Sequence, residues 1–460
     1  MMRSMQNKIF WLLFIFAVIY ILGNVGTGSL TTWDEAVYAN ISRGILQTGD
    51  WLLMHQSGRL WFDKPPLYMW CTAIFYKVLG INELSTRLTS SVLGVATILL
   101  VYIFARRIGA RTTAILSSLL LLAAPHYIHF AKMGMMDVPL TFFISLMIYL
   151  FWRGQEKAVY LFWSGVALSL AYFTKGFASV IGPAVIFLYC LCSGNLRFLI
   201  KREFIIGILI SVLAVCAWHL VQYRLAGPEA FSNYFGYHIF KRATMALEGH
   251  AGGMNFYQKA IFNKNKPWGV IYYPAFAYTL WLAIRYRKKD AILLTCWTLV
   301  VYALYTAVKT KLHWYIVPIY PAIAISSAIF LERLLKPRAL NFAFAVLLIA
   351  LLVQVPVSWA FKLDFNPDVK NSALFAEKLM REGAVVYVYN IDDDKEVFYF
   401  RDFKPLITNK SNLFVEKRVT FDNAYCIIRA RDVAGASSKY LCVFERIASF
   451  GPIIIAKLNI

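Results

Sequence analysis

About eleven stretches of this chain are apolar enough and long enough to cross a lipid bilayer, which leaves few folds open to it. A helical span needs about 20 apolar residues, with allowance for tilt. Such runs lie at 9–26, 85–105, 112–131, 138–152, 158–174, 177–193, 204–222, 268–284, 291–308, 313–332 and 340–361. Inside hydrocarbon every backbone N–H and C=O must be satisfied within its own segment, so each run is expected to be a helix. Composition agrees, with 59% hydrophobic and only 16% charged residues among 460. The first run follows Arg3 and Lys8, but no small-residue cleavage site ends it, and retention is expected.

The formal charge of +22 does not point to nucleic acid. The cations fall in short clusters between apolar runs: Arg106, Arg107 and Arg111; Arg153 and Lys157; Arg197, Lys201 and Arg202; Arg285 to Lys289; Arg333, Lys336 and Arg338. With the N-terminus in the cytoplasm, each cluster falls on the inner side, as the positive-inside rule requires. The outer side then receives loops 27–84 and 223–267 and the tail from residue 362. The expected organisation is a polytopic α-helical membrane domain over 1–361 and a small extracytoplasmic α/β domain over 362–460.

The tail is polar, with an acidic run at Asp392-Asp393-Asp394, a helical pattern at 369–382 and strand-like runs at 385–389, 424–430 and 439–446. Cys426 and Cys442 fall in those strands, either paired or as two buried thiols. The other cysteines, Cys71, Cys190, Cys192, Cys216 and Cys296, read as small buried hydrophobes, since none has CxxC or zinc spacing.

Function is expected on the outer side. The first loop carries Trp33-Asp34-Glu35 and then Trp61-Phe62-Asp63-Lys64-Pro65-Pro66, with Arg59 nearby. Two prolines hold the backbone after Lys64 extended and fix where the lysine projects, which suits a phosphate ligand or a snorkelling cation. Asp34 suits either a helix N-cap or a site carboxylate. Outer ends of spans should be poor in cations, so Lys132, Lys175, Lys309 and Lys311, joined by Lys64, stand out. Lys175-Gly176 equally fits a helix C-terminus, and Asp137 before Val138-Pro139 fits an N-cap. The second loop has Tyr237-His238, Lys241-Arg242, His250, Tyr257 and Lys266-Pro267-Trp268.

Trp33-Asp34-Glu35 after the first run, Asp63-Lys64-Pro65-Pro66, Arg87 and Met136-Asp137-Val138-Pro139 together resemble one family. These motifs resemble the GT-C glycosyltransferases related to dolichyl-phosphate-mannose protein mannosyltransferases, and especially the bacterial lipid A aminoarabinose transferases. The likeness is most specific over about residues 30–180 and continues loosely through His238, Arg242 and His250 to Lys309-Thr310-Lys311. It implies inverting transfer of a sugar from a polyprenyl-phosphate carrier to lipid A, another envelope glycan or a protein hydroxyl, outside a bacterial inner membrane. Asp34 and Asp137 then take catalytic positions. Glu35, Arg59, Asp63, Lys64, Arg87, Lys175, His238, Arg242, Lys309 and Lys311 take substrate-binding ones. Asp63 stands where the aminoarabinose transferases often have Glu, and the chain is shorter than theirs.

A glycosyl phosphate already carries a good leaving group, so one carboxylate base and a cationic cradle suffice, with no cofactor required. A divalent metal enters only if Asp63 and His313 meet. A transporter or flippase is the alternative, but it calls for paired repeats and mid-span ionisable residues. A sensor using the tail as a binding module leaves the Asp/Lys loop without a role.

Overall fold

The computed structural model describes residues 2–31, 34–56, 59–246, 249–360, 363–389, 399, 406–408, 423–440 and 443–459. The acidic run at 392–394 and Cys442, hence its pairing with Cys426, lie outside them.

Among the described residues each expected apolar run lies mainly in helix, although the first helix ends at Leu22. Six helices among the described residues are long and apolar enough to span a membrane: Glu83–Ile108, Val159–Ser193, Arg202–Ala226, Lys289–Ala307, His313–Leu334 and Pro337–Val357. A seventh arises if Arg111–Leu122 and Pro125–Ala131, bent by 69° at their junction, form one span. Proline cannot donate to the preceding turn, which accounts for that break. The stretch Val159–Ser193 is interrupted by a 3-10 turn at Gly176–Val180, so two expected runs share it. Other expected runs form shorter helices, such as Asp137–Gly154 and Gly269–Tyr286.

Local signals account for the ends. Asn82 and Ser85 form a reciprocal capping box at the start of Glu83–Ile108, and Arg106 and Arg107 face the negative end of its dipole. The Val159–Lys175 and Arg202–Ala226 helices cross closely at Gly165 and Gly207, where Ser211 Oγ donates to the Gly165 carbonyl at 2.5 Å. A Cβ on Gly165 would collide with the Gly207 backbone, and one on Gly207 with the Phe162 carbonyl. Small residues permit such contact in membranes. Gly207→Ala is therefore expected to cost about 1–3 kcal/mol by overpacking, read as a lower melting temperature in detergent; an unchanged melt would show that the helices can separate freely.

Cys190 and Cys296 are buried as expected, but Cys192 and Cys216 are exposed, because they lie on the outward faces of their helices.

The tail forms the helix Pro367–Arg381 and a five-stranded sheet. In spatial order the strands are Leu406–Thr408, Val385–Tyr389, Ala424–Arg429, Ile453–Asn459 and Val443–Phe450. The first three run parallel, and the last two pairings are antiparallel. The strand expected from 439 begins at Val443, because Val433–Tyr440 is a helix. Ile453–Asn459 was not foreseen. The sheet and its helix share a core with the first outer loop: Leu30, Ala39 and Tyr76 pack with Val369, Ala373 and Ile427.

Candidate active site

Helix ends and the segments between them converge on a cleft of about 270 Å³. Five elements bring its polar side chains. The Asp63–Pro66 turn brings Asp63 and Lys64, and the end of the Val159–Lys175 helix brings Lys175. A ten-residue π-helix, Ser232–Lys241, brings Tyr234 and delivers Arg242 just beyond it; π-helical turns are rare and recur at functional sites. The Lys289–Ala307 helix brings Tyr305, and the 3-10 turn His313–Ile319 brings Tyr315. The rest of the wall is apolar, including Phe177, Ile181, Leu304 and Val308.

The polar end is tightly organised. Lys175 Nζ lies 2.5 Å from Asp137 Oδ1, both side chains being largely buried. The same ammonium lies 4.9 Å from the centre of the Tyr315 ring. Arg242 Nη1 donates to the Tyr315 hydroxyl at 3.1 Å, and Lys64 Nζ donates to the Asp63 carbonyl at 3.1 Å. Burial and then the Arg242 charge push the Lys64 ammonium down to about 8, against the opposing pull of Asp63 and Asp34. Three cations thus face an apolar-walled cleft, an arrangement suited to an amphiphile with an anionic head.

Gly176 takes a φ of +61° at the helix end, and the Tyr234 hydroxyl occupies the space a Cβ would need there. The expected glycine cap and the expected site lysine therefore coincide. Asp137 is different: it is the first residue of its helix and not the N-cap, which is Met136, and its carboxylate pairs with Lys175.

Asp34 is the first residue of the Asp34–Thr48 helix, and its charge is felt at Lys64, Asp137 and Tyr315. Glu35 points elsewhere. It forms a 2.8 Å ion pair with Arg87, both side chains 0% exposed. It also accepts from the Thr31 and Gly134 N–H groups. Burial alone would raise the Glu35 carboxyl, but Arg87 and these donors hold it below its ordinary range. Glu35 and Arg87, expected among the substrate ligands, are thus placed where they hold backbone together and do not face the cleft.

Lys311 also departs from expectation. Its ammonium is spent on the carbonyls of Thr306 and Val308, at 2.6 and 2.9 Å, where it caps the end of the Lys289–Ala307 helix. A buried cation at the negative end of a helix dipole is well satisfied there. Lys309 is exposed and outside the cleft lining, and Lys132 donates to Asn24 Oδ1 at 3.1 Å. The side chains of Arg59 and His238 lie outside the described residues. His313 does not join Asp63: its Nδ1 is 3.0 Å from His126 Nε2, whose ring also bonds Tyr320. Among the described residues no group of three or more His, Cys, Asp or Glu is placed to hold a metal ion.

Because the Lys64 value is lowered, its cation is present below about pH 8 and is lost as pH rises through it. An anionic ligand held by that cation is therefore expected to weaken between about pH 7 and 9, whereas Lys64→Arg, charged throughout, flattens the profile. A wild-type profile already flat across this range would remove Lys64 from the binding group.

A polytopic helical domain with an apolar-walled cleft that gathers cations and Asp63, joined to a small α/β unit, has the architecture of a GT-C glycosyltransferase. Residues 63–221 match the model of the dolichyl-phosphate-mannose-protein mannosyltransferase family. A protein of Aquifex aeolicus is 33% identical over 353 residues, 75% of this chain and 69% of that one. An undecaprenyl phosphate-alpha-4-amino-4-deoxy-L-arabinose arabinosyl transferase of Pseudomonas fluorescens is 28% identical over 349 residues, 72% of this chain and 61% of its own length. The crystal structure of ArnT from Cupriavidus metallidurans bound to undecaprenyl phosphate superposes with a TM-score of 0.79 at 19% identity, over 98% of this chain and 97% of that one. The chain belongs to the GT-C glycosyltransferases related to the protein mannosyltransferases and the aminoarabinose transferases.

The site was only partly foreseen. Tyr234, Tyr305 and Tyr315 line the cleft without having been singled out. Tyr315 had a signal, since it follows the outer Lys309-Thr310-Lys311 turn; Tyr305 is an aromatic in an apolar helix and had none.

Proposed function

We propose that this protein is an inverting glycosyltransferase that moves a sugar from a polyprenyl-phosphate carrier to a hydroxyl on an envelope acceptor, at the outer face of a bacterial inner membrane. The observation that carries the reading is the convergence of Lys64, Lys175 and Arg242 on one apolar-walled cleft, with Asp34 close by. The apolar wall receives the start of the prenyl chain, and the cations receive its phosphate. Asp34 takes the proton of the acceptor hydroxyl as its oxygen attacks the anomeric carbon. The bond from that carbon to the phosphate oxygen breaks on the opposite face, and its electron pair stays on the phosphate, where the cations stabilise the added charge. Asp137 holds Lys175 in place for this step.

Support for the carrier comes from the names of the relatives: undecaprenyl phosphate is the ligand in the Cupriavidus metallidurans structure and the carrier named for the Pseudomonas fluorescens enzyme. The acceptor classes are lipid A, another envelope glycan and a protein hydroxyl. About eleven crossings, with the N-terminus inside and the 362–460 domain outside, accord with the basic clusters between the helices.

The test is direct. Purified protein given a sugar-linked polyprenyl phosphate and envelope extract should release free polyprenyl phosphate in step with a glycosylated acceptor. Binding or translocation of the carrier without cleavage would favour the flippase.

A further inference from the structure

We infer that the C-terminal segment is a positioning element of the transfer reaction, fixing Asp34 through a clamp of backbone hydrogen bonds in which Arg87 and Tyr399 act as positioning residues. The inference rests on the reading of Asp34 as the base.

Residues 28–30, which lead into the Asp34–Thr48 helix, are each bound to the tail. Leu30 donates its N–H to the Tyr399 hydroxyl at 2.7 Å and accepts from Asn366 Nδ2 at 2.7 Å. Ser29 Oγ donates to Asp364 Oδ1 and accepts the Asn366 N–H, both at 2.6 Å. Lys370 donates to the Gly28 carbonyl at 2.7 Å and pairs with Glu83, at the start of the Glu83–Ile108 helix, at 2.5 Å. Gly28 has a φ of +80°, and a Cβ there would overlap the backbone of Leu363 and Asp364.

Arg87 joins the parts from beneath. Its guanidinium donates to the carbonyls of Val25, Thr27, Ser29 and Leu363, and to Glu35. Glu35, the residue after Asp34, is thereby tied to the same guanidinium that holds residues 25–29. A tail serving only as an outer cap had the whole extracytoplasmic face to dock on; its polar contacts concentrate on residues 28–30 and on the helix end that anchors Glu35. Among the described residues, none that lines the cleft belongs to the tail. Its effect therefore runs through the placement of Asp34, and a displacement of about 1 Å can cost on the order of 10²-fold in rate.

The test uses Tyr399→Phe, which leaves the Leu30 N–H unpaired, and Lys370→Met, each in the full-length protein after melting in detergent shows a folded state. The expected result is a kcat lowered by about tenfold or more, with affinity for undecaprenyl phosphate unchanged, because Lys64, Lys175 and Arg242 sit on other elements. In an Asp34→Asn background, Tyr399→Phe should add less than about a twofold loss, as coupled positions do. Wild-type kcat in both variants, a loss of carrier affinity alone, or losses that multiply with Asp34→Asn would each overturn the inference. A fully active Asp34→Asn would instead remove the base assignment, and the split between kcat and affinity would still decide whether the tail sets the site. Should Lys370→Met not fold, exchange of the pair as Lys370→Glu with Glu83→Lys gives the same readout, with recovery of kcat relative to Lys370→Glu as the supporting result.

Discussion

Asp34→Asn is expected to slow sugar transfer by about 10²–10⁴-fold, the usual contribution of a positioned general base, while the protein stays folded and still binds the carrier. The amide keeps the size of the carboxylate and can still serve the first turn of its helix, so the change removes basicity and little else. The neighbouring carboxylate cannot substitute, because Glu35 is engaged by Arg87 and by the N–H groups of Thr31 and Gly134. Turnover and carrier binding on the same preparation are the measurements needed. Wild-type turnover in Asp34→Asn would transfer the role to another group, of which Asp63 in the cleft lining is the nearest in kind.

Arg87→Met is expected to cost about 3–5 kcal/mol in stability, as removal of one partner from a buried pair does. The loss has two sources. The Glu35 carboxylate is left buried without its counter-charge, and the carbonyls of Val25, Thr27, Ser29 and Leu363 lose their donor. Replacing both partners, as Arg87→Met with Glu35→Leu, should restore part of the stability, because the isolated charge disappears with its partner. Melting of the single and double variants in detergent gives the comparison; a single variant as stable as wild type would show that the carbonyls and Glu35 find other donors.

The sequence made some of this arrangement legible and hid the rest for physical reasons. Lys64 and Lys175 stood out because cations at the outer ends of spans break a topological rule, and both face the cleft. Lys311 broke the same rule yet is a helix cap, since the rule concerns which side of the membrane a residue occupies and is silent on where its ammonium points. Asp34 and Glu35 are adjacent and chemically alike, but the helix that Asp34 begins sends them to different surroundings. Arg87 was noticed as part of a motif, whereas its carbonyl partners are backbone atoms that no side-chain pattern encodes. The tail was legible as helix and strands, while its seat on residues 28–30 depends on contacts more than 300 positions apart in sequence.

The Lys175–Asp137 pair bears on how the enzyme lets go of its product. A sugar-linked polyprenyl phosphate is a diester with one negative charge. The carrier left after transfer is a monoester approaching two, because its second pKa lies near 6. A cleft of unopposed cations would therefore hold the spent carrier more tightly than the fresh one and slow its release. Under the proposed function, Asp137, 2.5 Å from the Lys175 ammonium, would compete for that cation and lower the hold on the more highly charged species. Spent carrier is accordingly expected to inhibit the wild-type enzyme only weakly, with the lysine's partner serving also as its rival in discharge.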